Sequence, residues 1–210
     1  MLKVGIIGCG GIAQAHAKGW AQAQMAGTAR ILAACDTDRG RAGLMGDKLG
    51  AVEVCDRWED VLRMDVQAVD ICLPHHLHRD AIVAAAEAGK HVMIEKPLCL
   101  ALDEAEDIRR VRRKTGITIM CAHNQLFHPA VWQARKAIQE GRIGRVLSAR
   151  TVDCFHISRT AEQWGWRARL ATAGGGCLID TGYHPSYMLL HLVGDRPTSV
   201  VAMNGNYLQP

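Results

Sequence analysis

The chain has 210 residues, enough for one large domain or for an ordinary domain followed by a smaller one. It is 49% hydrophobic and 22% charged, and no apolar run approaches the roughly 18 residues of a membrane helix, so a membrane protein is not expected. The net charge of +4 is too small to indicate a nucleic-acid partner. The basic cluster Arg109–Lys114, which follows an acidic run, is typical of a solvated helix face.

Eight cysteines are present, none of them spaced as CxxC, and several lie in apolar runs. This usage predicts reduced, buried thiols in a cytoplasmic protein, without disulfides or a zinc framework. The N-terminal residues MLKVGIIGCGG enter a strand directly and lack the layout of a signal peptide.

The first part of the chain alternates between short apolar runs and helical patterns. Strands are predicted at residues 2–7, 30–35, 52–55, 69–73, 91–95 and 118–122, and helices at about 13–24, 38–49, 58–64, 78–88 and 102–114. This alternation is typical of a doubly wound α/β domain with a parallel sheet and helices on both faces. We place this domain at residues 1–123.

A glycine-rich turn joins the first strand to the first helix. Gly8, Gly10 and Ala13 fit the pattern G-x-G-x-x-G/A, which allows a tight turn, close approach to a pyrophosphate, and close packing of helix on strand. The helix N-terminus supplies unpaired N–H groups and a favourable dipole for the phosphates. The turn therefore predicts a dinucleotide site.

Asp36 follows the second strand, where a carboxylate can accept both ribose hydroxyls of NAD and repel the 2′-phosphate of NADP. The structural alternative is that Asp36 caps the helix that begins near Asp38. Because Arg39 and Arg41 lie close by, NAD is expected while NADP stays open, and the fingerprint alone does not exclude a flavin.

Glu95-Lys96-Pro97 ends the fifth strand, at the sheet edge where open α/β folds bind ligands. A residue before proline is held extended. Lys96 could therefore hydrogen-bond a substrate oxygen beside a nicotinamide, or it could form a surface pair with Glu95. The histidines His75, His76 and His78 lack further ligands at metal-binding spacing, so no metal site is expected.

The pattern changes after residue 123. A helix is predicted at 129–139, strands at 146–155 and 198–207, and a helix after the glycines of Gly174–His191. Asp180 and His184 are four residues apart on that predicted helix and would share one face, as a proton-handling pair or as an ordinary helix-start acid and surface histidine. Residues 124–210 would form a second, α+β domain.

Taken together, these motifs resemble the Gfo/Idh/MocA oxidoreductases, the glucose–fructose oxidoreductase and inositol dehydrogenase group. Lesser matches are the segment PHHLH at 74–78, AGKHVMIEKP before Pro97, Asn124, and EGRIGRV at 140–146. The resemblance covers essentially the whole chain. It implies a Rossmann domain plus an α/β domain with a large, mostly antiparallel sheet. It also implies hydride transfer between NAD(P) and a ring hydroxyl or ketone of a sugar, inositol or related polyol.

The resemblance also implies roles for particular residues. Lys96 would polarise the substrate oxygen, Asp180 would position the substrate, and His184 would be the general base. The substrate contacts expected are Lys96, Trp166, Arg167, Asp180 and His184. Trp166 and Arg167 come from the sequence itself: with Trp164 they precede the triple glycine, where they could cap a sugar face or equally pack in an interface. The cofactor contacts expected are Gly8, Gly10, Gly11, Ile12, Ala13, Asp36, Leu73, Pro74, Leu77, His78, Glu95, Lys96 and Asn124.

The chain departs from the family pattern at a few positions. His75 stands where asparagine is frequent, Leu126 where arginine is frequent, and Tyr187 where an aspartate often follows the histidine. Family members also continue for well over a hundred residues beyond the position of Pro210, so the second domain is expected to be short of sheet strands.

The hypothesis is therefore an NAD-dependent dehydrogenase acting on a sugar or cyclic polyol, assembled as a homo-oligomer through the second domain. Two alternatives are a glycosidase or lyase that oxidises a sugar carbon transiently, and a truncated nucleotide-binding module without full activity.

Overall fold

A computed structural model describes residues 1–51, 53–154, 156–158, 160–203 and 205. The chain divides into two compact units. The first comprises residues 1–123 and 155–183, and the second comprises residues 124–154 and 184–210. Residues 155–183, which the sequence places in the second domain, thus group with the first unit.

The first unit is built on a six-stranded parallel sheet. Its strands are β1 (Leu2–Ile7), β2 (Ala29–Cys35), β3 (Glu53–Cys55), β4 (Ala68–Ile71), β5 (His91–Ile94) and β6 (Ile119–Cys121). They lie in the order β3-β2-β1-β4-β5-β6, and every neighbouring pair is parallel. This is the doubly wound order, whose topological switch point lies between β1 and β4. The predicted Rossmann-type sheet is confirmed.

Helices connect the strands. They are α1 (Ala13–Met25), α2 (Arg39–Leu49), α3 (Trp58–Arg63), α4 (His78–Glu87) and α5 (Leu102–Thr115). The boundaries of α2 and α5 follow from local chemistry. Asp38 caps the N-terminus of α2 by accepting hydrogen bonds from the N–H groups of Gly40 and Arg41. Gly116 ends α5 in the left-handed conformation.

Two clusters of buried apolar side chains hold the sheet between its helices. Ile7, Val69 and Ile71 belong to one cluster, while Val4 and Ile6 belong to the other. Because successive side chains of a strand point to opposite faces, these clusters lie on the two faces of the sheet. Strands buried on both faces read as continuous apolar runs, which is why the sequence predicted them.

The rest of the first unit consists of short helical segments: α7 (Ala161–Trp164), a 3₁₀ turn (Gly165–Ala168), α8 (Leu170–Ala173) and α9 (Cys177–Asp180). The second unit contains α6 (Pro129–Gln139), which agrees with prediction, and most of α10 (Tyr183–Val193).

The single helix predicted after the triple glycine is wrong. The structure instead has α9 and α10, separated by Thr181 and Gly182. A Cβ on Gly182 would lie 2.9 Å from the Cα of Leu178, so the chain turns tightly there. The argument that placed Asp180 and His184 on one helical face required an unbroken helix and does not apply.

The two strands predicted for the second domain are not found among its described residues. Residues 146–154 and 198–203 have no regular structure, while Phe155, Asn204 and residues 206–207 lie outside the described part of the chain. A strand needs neighbours to pair its backbone groups, and the described residues of this unit supply none.

Among the described residues, no helix combines the length and the apolar character that crossing a bilayer requires.

Candidate active site

The glycine turn after β1 has the geometry that a dinucleotide cradle requires. Gly8 has φ +92°, and a Cβ there would lie 2.4 Å from the carbonyl oxygen of Cys72 on the neighbouring segment, so only glycine fits. A Cβ on Gly10 or Gly11 would meet no atom within 4 Å, which leaves the turn open to a ligand. The turn leads into α1, whose preceding residue Ile12 makes no side-chain cap.

The carboxylate of Asp36 ties the end of β2 to this turn. Its Oδ2 accepts a hydrogen bond of 2.8 Å from the N–H of Cys9, and its Oδ1 accepts one of 2.9 Å from the N–H of Asp38. Asp38, not Asp36, caps α2. Each carboxylate oxygen can accept a second hydrogen bond, so the group retains capacity for ribose hydroxyls. These features fit an NAD-type cofactor.

The lysine at the end of β5 forms the centre of the site. Lys96 Nζ lies 2.7 Å from Asp180 Oδ1 and 2.5 Å from the Asp180 backbone oxygen. The two side chains are only 13% and 23% exposed. Burial alone would raise the pKa of Asp180, but the Lys96 ammonium, helped by Arg167 and His75, holds that pKa below its ordinary value. Asp180 is therefore a carboxylate at neutral pH.

Arg167 and Trp166 complete the surroundings of Asp180. Arg167 Nε donates to Asp180 Oδ2 at 3.2 Å, and the guanidinium carbon lies 4.2 Å from the centre of the Trp166 ring. The backbone leading to Asp180 is shaped by Gly174, which has φ +78° and whose Cβ would lie 2.3 Å from Leu100 Cδ2. Two of the predicted substrate contacts thus surround the Lys96–Asp180 pair.

His75 follows β4 and Pro74 in a 3₁₀ turn, His75–Leu77, and is 3% exposed. Its Nδ1 lies 2.9 Å from the backbone oxygen of Ala173, and its Nε2 lies 4.0 Å from Asp180 Oδ1. The ring packs edge-to-face on Trp166 at 4.5 Å. The sequence did not assign His75 to the site.

His78 was predicted to contact the cofactor, and the structure places its side chain fully inside the protein. Its ring nitrogens lie 2.7 Å from the backbone oxygen of Pro97 and 2.9 Å from that of Leu73. Burial lowers the pKa of His78, while the contacts with the two carbonyl oxygens act in the opposite direction. His78 thus connects the segment that follows β4 with the segment that follows β5.

A buried polar cluster beneath the site was not predicted. His16 of α1 places Nδ1 3.0 Å from both carboxylate oxygens of Asp70 and Nε2 3.0 Å from Glu95 Oε1. Trp20 Nε1 donates to Asp70 at 2.6 Å, and Glu95 Oε2 accepts the N–H of Lys96. Burial alone would lower the pKa of His16, but the hydrogen bonds to Asp70 and its neighbours hold it well above its ordinary value.

The cluster links the proposed phosphate-binding helix to the backbone of the lysine through an imidazolium held between two carboxylates. Glu95, which the sequence predicts as a cofactor contact, is 8% exposed and belongs to this network. The ligand atoms of His16, Asp70 and Cys72 all lie within 4.8 Å of one another. His16 and Asp70 contact each other directly at 3.0 Å, so we interpret them as an ion pair.

In the second unit, Tyr187 connects His184 to Asn124. The Tyr187 hydroxyl lies 2.8 Å from His184 Nδ1, donates to Asn124 Oδ1 at 3.3 Å, and accepts the N–H of Gln125 at 3.3 Å. The Tyr187 hydroxyl thus bridges the His184 ring and the side chain of Asn124.

Sequence reasoning missed three residues in these arrangements: His16, His75 and Tyr187. The sequence analysis weighed His75 as a metal ligand and noted both His75 and Tyr187 as departures from a family pattern. Their contacts run to the distant residues Ala173 and Asn124. One signal for the buried cluster was available: Asp70 is a charged residue within the apolar strand β4, and a buried charge needs a partner.

Profiles of known families match both parts of the chain. Residues 2–123 match an oxidoreductase family described as an NAD-binding Rossmann fold, and residues 131–210 match the GFO/IDH/MocA C-terminal domain. The levoglucosan dehydrogenase of Pseudarthrobacter phenanthrenivorans is 32% identical over 203 residues, covering 92% of this chain and 52% of that protein. The inositol 2-dehydrogenase of Rhizobium meliloti is 31% identical over 205 residues, covering 96% and 58%.

Solved structures agree with these matches. A levoglucosan dehydrogenase in complex with NADH and levoglucosan superposes with a TM-score of 0.81 at 30% identity, covering 92% of this chain and 54% of that one. The chain thus spans a little over half the length of these relatives. Two matched domains and the Rossmann sheet with its glycine turn lead to one conclusion: the chain belongs to the GFO/IDH/MocA family of oxidoreductases.

Proposed function

We propose that the protein is an NAD-dependent dehydrogenase that transfers hydride between the nicotinamide and a hydroxyl or ketone carbon of a sugar, inositol or related cyclic polyol. The Lys96–Asp180 ion pair, in a chain of this family, carries the proposal. The named relatives support it, since they are dehydrogenases of levoglucosan and inositol. They do not favour the lyase alternative.

The reaction needs a cation at the substrate oxygen, and Lys96 is proposed for that role. When bound, the nicotinamide cofactor accepts or donates the hydride. An ammonium group has three N–H donors, and Asp180 uses two of those of Lys96. The third is available to hydrogen-bond the oxygen of an alcohol, an alkoxide or a ketone, which favours the oxygen's anionic form.

Asp180 and His184 are proposed to share the remaining proton handling. Asp180 holds the Lys96 ammonium in place, and Arg167 and Trp166 beside it are proposed to contact the substrate. His184 is proposed to take the proton of the substrate hydroxyl as general base. The contact between the Tyr187 hydroxyl and Nδ1 of His184 supports this role, because it orients the ring.

The cofactor is proposed to lie on the turn formed by Gly8, Gly10, Gly11, Ile12 and Ala13, with its adenosine ribose on Asp36. Its nicotinamide end is proposed near Leu73, Pro74, Leu77 and Asn124. NAD is favoured because Asp36 would repel a 2′-phosphate. The nearby Arg39 is already paired with Asp56 at 3.1 Å, although such an exposed pair is weak and leaves NADP open.

We further propose that residues 124–210 contribute to an antiparallel sheet that assembles two copies into a homo-oligomer. The match to the family's C-terminal domain supports this, as do the exposed side chains of Leu147, Val152, Val200 and Val201. A cytoplasmic location is proposed because all eight cysteines are free thiols.

The test is a turnover screen with NAD and a polyol panel of levoglucosan, myo-inositol, scyllo-inositol and D-glucose, followed at 340 nm. NADH formation with at least one member, lost in Lys96→Met and retained in the exposed-lysine control Lys114→Met, is expected. Equal activity in the two variants would overturn the proposed role of Lys96. Formation of a hydrolysis or elimination product of the sugar without net NADH formation would favour the glycosidase or lyase alternative.

A further inference from the structure

His75 has a fixed protonation pattern in the structure. Its Nδ1 lies 2.9 Å from the backbone oxygen of Ala173, and a carbonyl oxygen only accepts hydrogen bonds. Nδ1 must therefore carry the ring proton, and in a neutral imidazole Nε2 then carries a lone pair. The tautomer follows from this hydrogen bond.

The surroundings of the ring favour the neutral form. Burial lowers the pKa of His75 to about 4; His78 and Lys96 act in the same direction, while the Ala173 hydrogen bond and Asp180 oppose them. The ring also packs against the uncharged Trp166 ring. At neutral pH the group facing the Lys96–Asp180 pair is thus an imidazole with an acceptor nitrogen.

Nε2 lies 4.0 Å from Asp180 Oδ1, which is too long for a hydrogen bond, and both atoms are acceptors. The described residues provide Nε2 with no donor, whereas both oxygens of Asp180 receive donors from Lys96 and Arg167. An acceptor without a protein donor can be satisfied by water or by a donor that arrives with a ligand.

We propose that His75 is a specificity-determining residue of the substrate site, whose Nε2 accepts a hydrogen bond from a second hydroxyl, next to the one that reacts. The inference rests on the proposed function and narrows its substrate class to compounds with vicinal hydroxyls. Lys96 would donate to the oxygen of the reacting carbon, and His75 would accept from the neighbouring hydroxyl. Because Lys96 only donates and the neutral His75 ring accepts through Nε2, the two residues distinguish the reacting oxygen from the neighbouring hydroxyl.

A bound substrate that lacks the second hydroxyl would not supply a donor to Nε2. Sites built to hydrogen-bond a substrate hydroxyl reject the analogue without it strongly. We expect the protein to use the vicinal diol at least about 10-fold better, in kcat/KM, than the matching deoxy compound.

The kinetic test compares each active member of the polyol panel with its analogue deoxygenated next to the reacting carbon. His75→Phe keeps an aromatic ring and removes the acceptor, His75→Asn restores an acceptor oxygen, and the exposed His128→Phe is the control. The measured quantity is the ratio of kcat/KM for the vicinal diol to kcat/KM for its deoxy analogue. This ratio is expected to fall to within about threefold in His75→Phe, to rise again in part in His75→Asn, and to stay at the wild-type value in the control. A ratio unchanged in His75→Phe would overturn the proposal.

A second measurement does not depend on turnover. In ¹⁵N NMR spectra of the wild-type protein with NADH at pH 7, His75, assigned by its absence in His75→Phe, should show protonated Nδ1 and bare Nε2. Addition of 50 mM myo-inositol or levoglucosan should shift the Nε2 resonance toward the hydrogen-bonded range.

The two failures are distinguishable. If no panel compound yields NADH but a polyol still shifts Nε2, the dehydrogenase assignment fails and the hydroxyl contact stands. A protonated Nε2, or an Nε2 signal unmoved by a compound that is turned over, would overturn the contact while leaving the dehydrogenase intact.

Discussion

Replacement of Lys96 by methionine is the most informative single change to this site. Methionine keeps the volume of an unbranched side chain and removes the ammonium. The two hydrogen bonds to Asp180, one to its side chain and one to its backbone oxygen, are lost together. Asp180 then keeps Arg167, at 3.2 Å, as its cationic partner in the first unit.

Two magnitudes follow from this geometry. A hydrogen bond to a charged group contributes about 1.5–3 kcal/mol, so unfolding free energy should fall by about that amount, because Asp180 remains partly buried without its main partner. Loss of a donor to the reacting oxygen costs about 10²–10³ in kcat, or roughly 3–4 kcal/mol of activation free energy. The expected loss in activation free energy thus exceeds the expected loss in stability.

The pH dependence of stability tests the ion pair separately. The pKa of Asp180 is lower in the folded protein than its ordinary value, so the pair stabilises the fold above the unfolded-state pKa. That contribution is lost as the pH falls through the folded-state pKa. Lys96→Met should therefore be less stable than wild type at pH 7, and the difference should shrink below about pH 4.

The assays are NADH formation at 340 nm, cofactor affinity by quenching of tryptophan fluorescence, and urea unfolding at several pH values. Affinity for NAD should stay within about threefold, because the glycine turn and Asp36 are untouched. A variant with wild-type kcat would refute the role of the lysine. A variant that binds no NAD at all would show that Lys96 is needed for cofactor binding and not for the chemistry.

Three further changes test other parts of the account. Asp36→Ala should shift the ratio of kcat/KM for NAD over NADP toward NADP by at least about 10-fold, and an unchanged ratio would count against the ribose contact. Tyr187→Phe should lower kcat about 10-fold with unchanged NAD affinity, since His184 loses the hydroxyl that contacts its Nδ1; undiminished kcat would exclude that positioning role. His16→Gln should cost about 3–5 kcal/mol in urea unfolding at pH 7, because two buried carboxylates lose their cation. The pKa of His16 is higher in the folded protein than in the unfolded chain. The stabilisation by His16 is therefore complete below the unfolded-state pKa near 6.5 and is lost as the pH rises through the folded-state pKa. A wild-type stability that does not change up to high pH would contradict the pairing.

The first domain was predictable because its signals are local. Strands buried on both faces are continuous apolar runs in the sequence. Gly8 marks a tight turn, where a Cβ would collide with the backbone of Cys72, directly after the neighbouring strand β4. Asp36 and Lys96 were found because functional residues of this fold follow the carboxyl ends of strands.

The rest depended on contacts between distant residues. His16 meets Asp70 and Glu95 across 54 and 79 residues, which no local pattern encodes. The apolar periodicity after residue 177 suggested one helix, while the close contact of Gly182 with Leu178 breaks it. Residues 146–154 have strand-like composition, but the described residues of their unit give them no strand to pair with.

The most direct measurement of the central claim is the fate of the carbinol hydrogen. The protein should be incubated with NAD and each panel polyol carrying deuterium on its ring carbinol carbons, and the reduced cofactor analysed by mass spectrometry. We predict that NADH formed by the wild-type protein gains one mass unit, and that Lys96→Met forms about 10²–10³-fold less of it. Reduced cofactor without the label, or none from any polyol, would contradict hydride transfer from a polyol carbon.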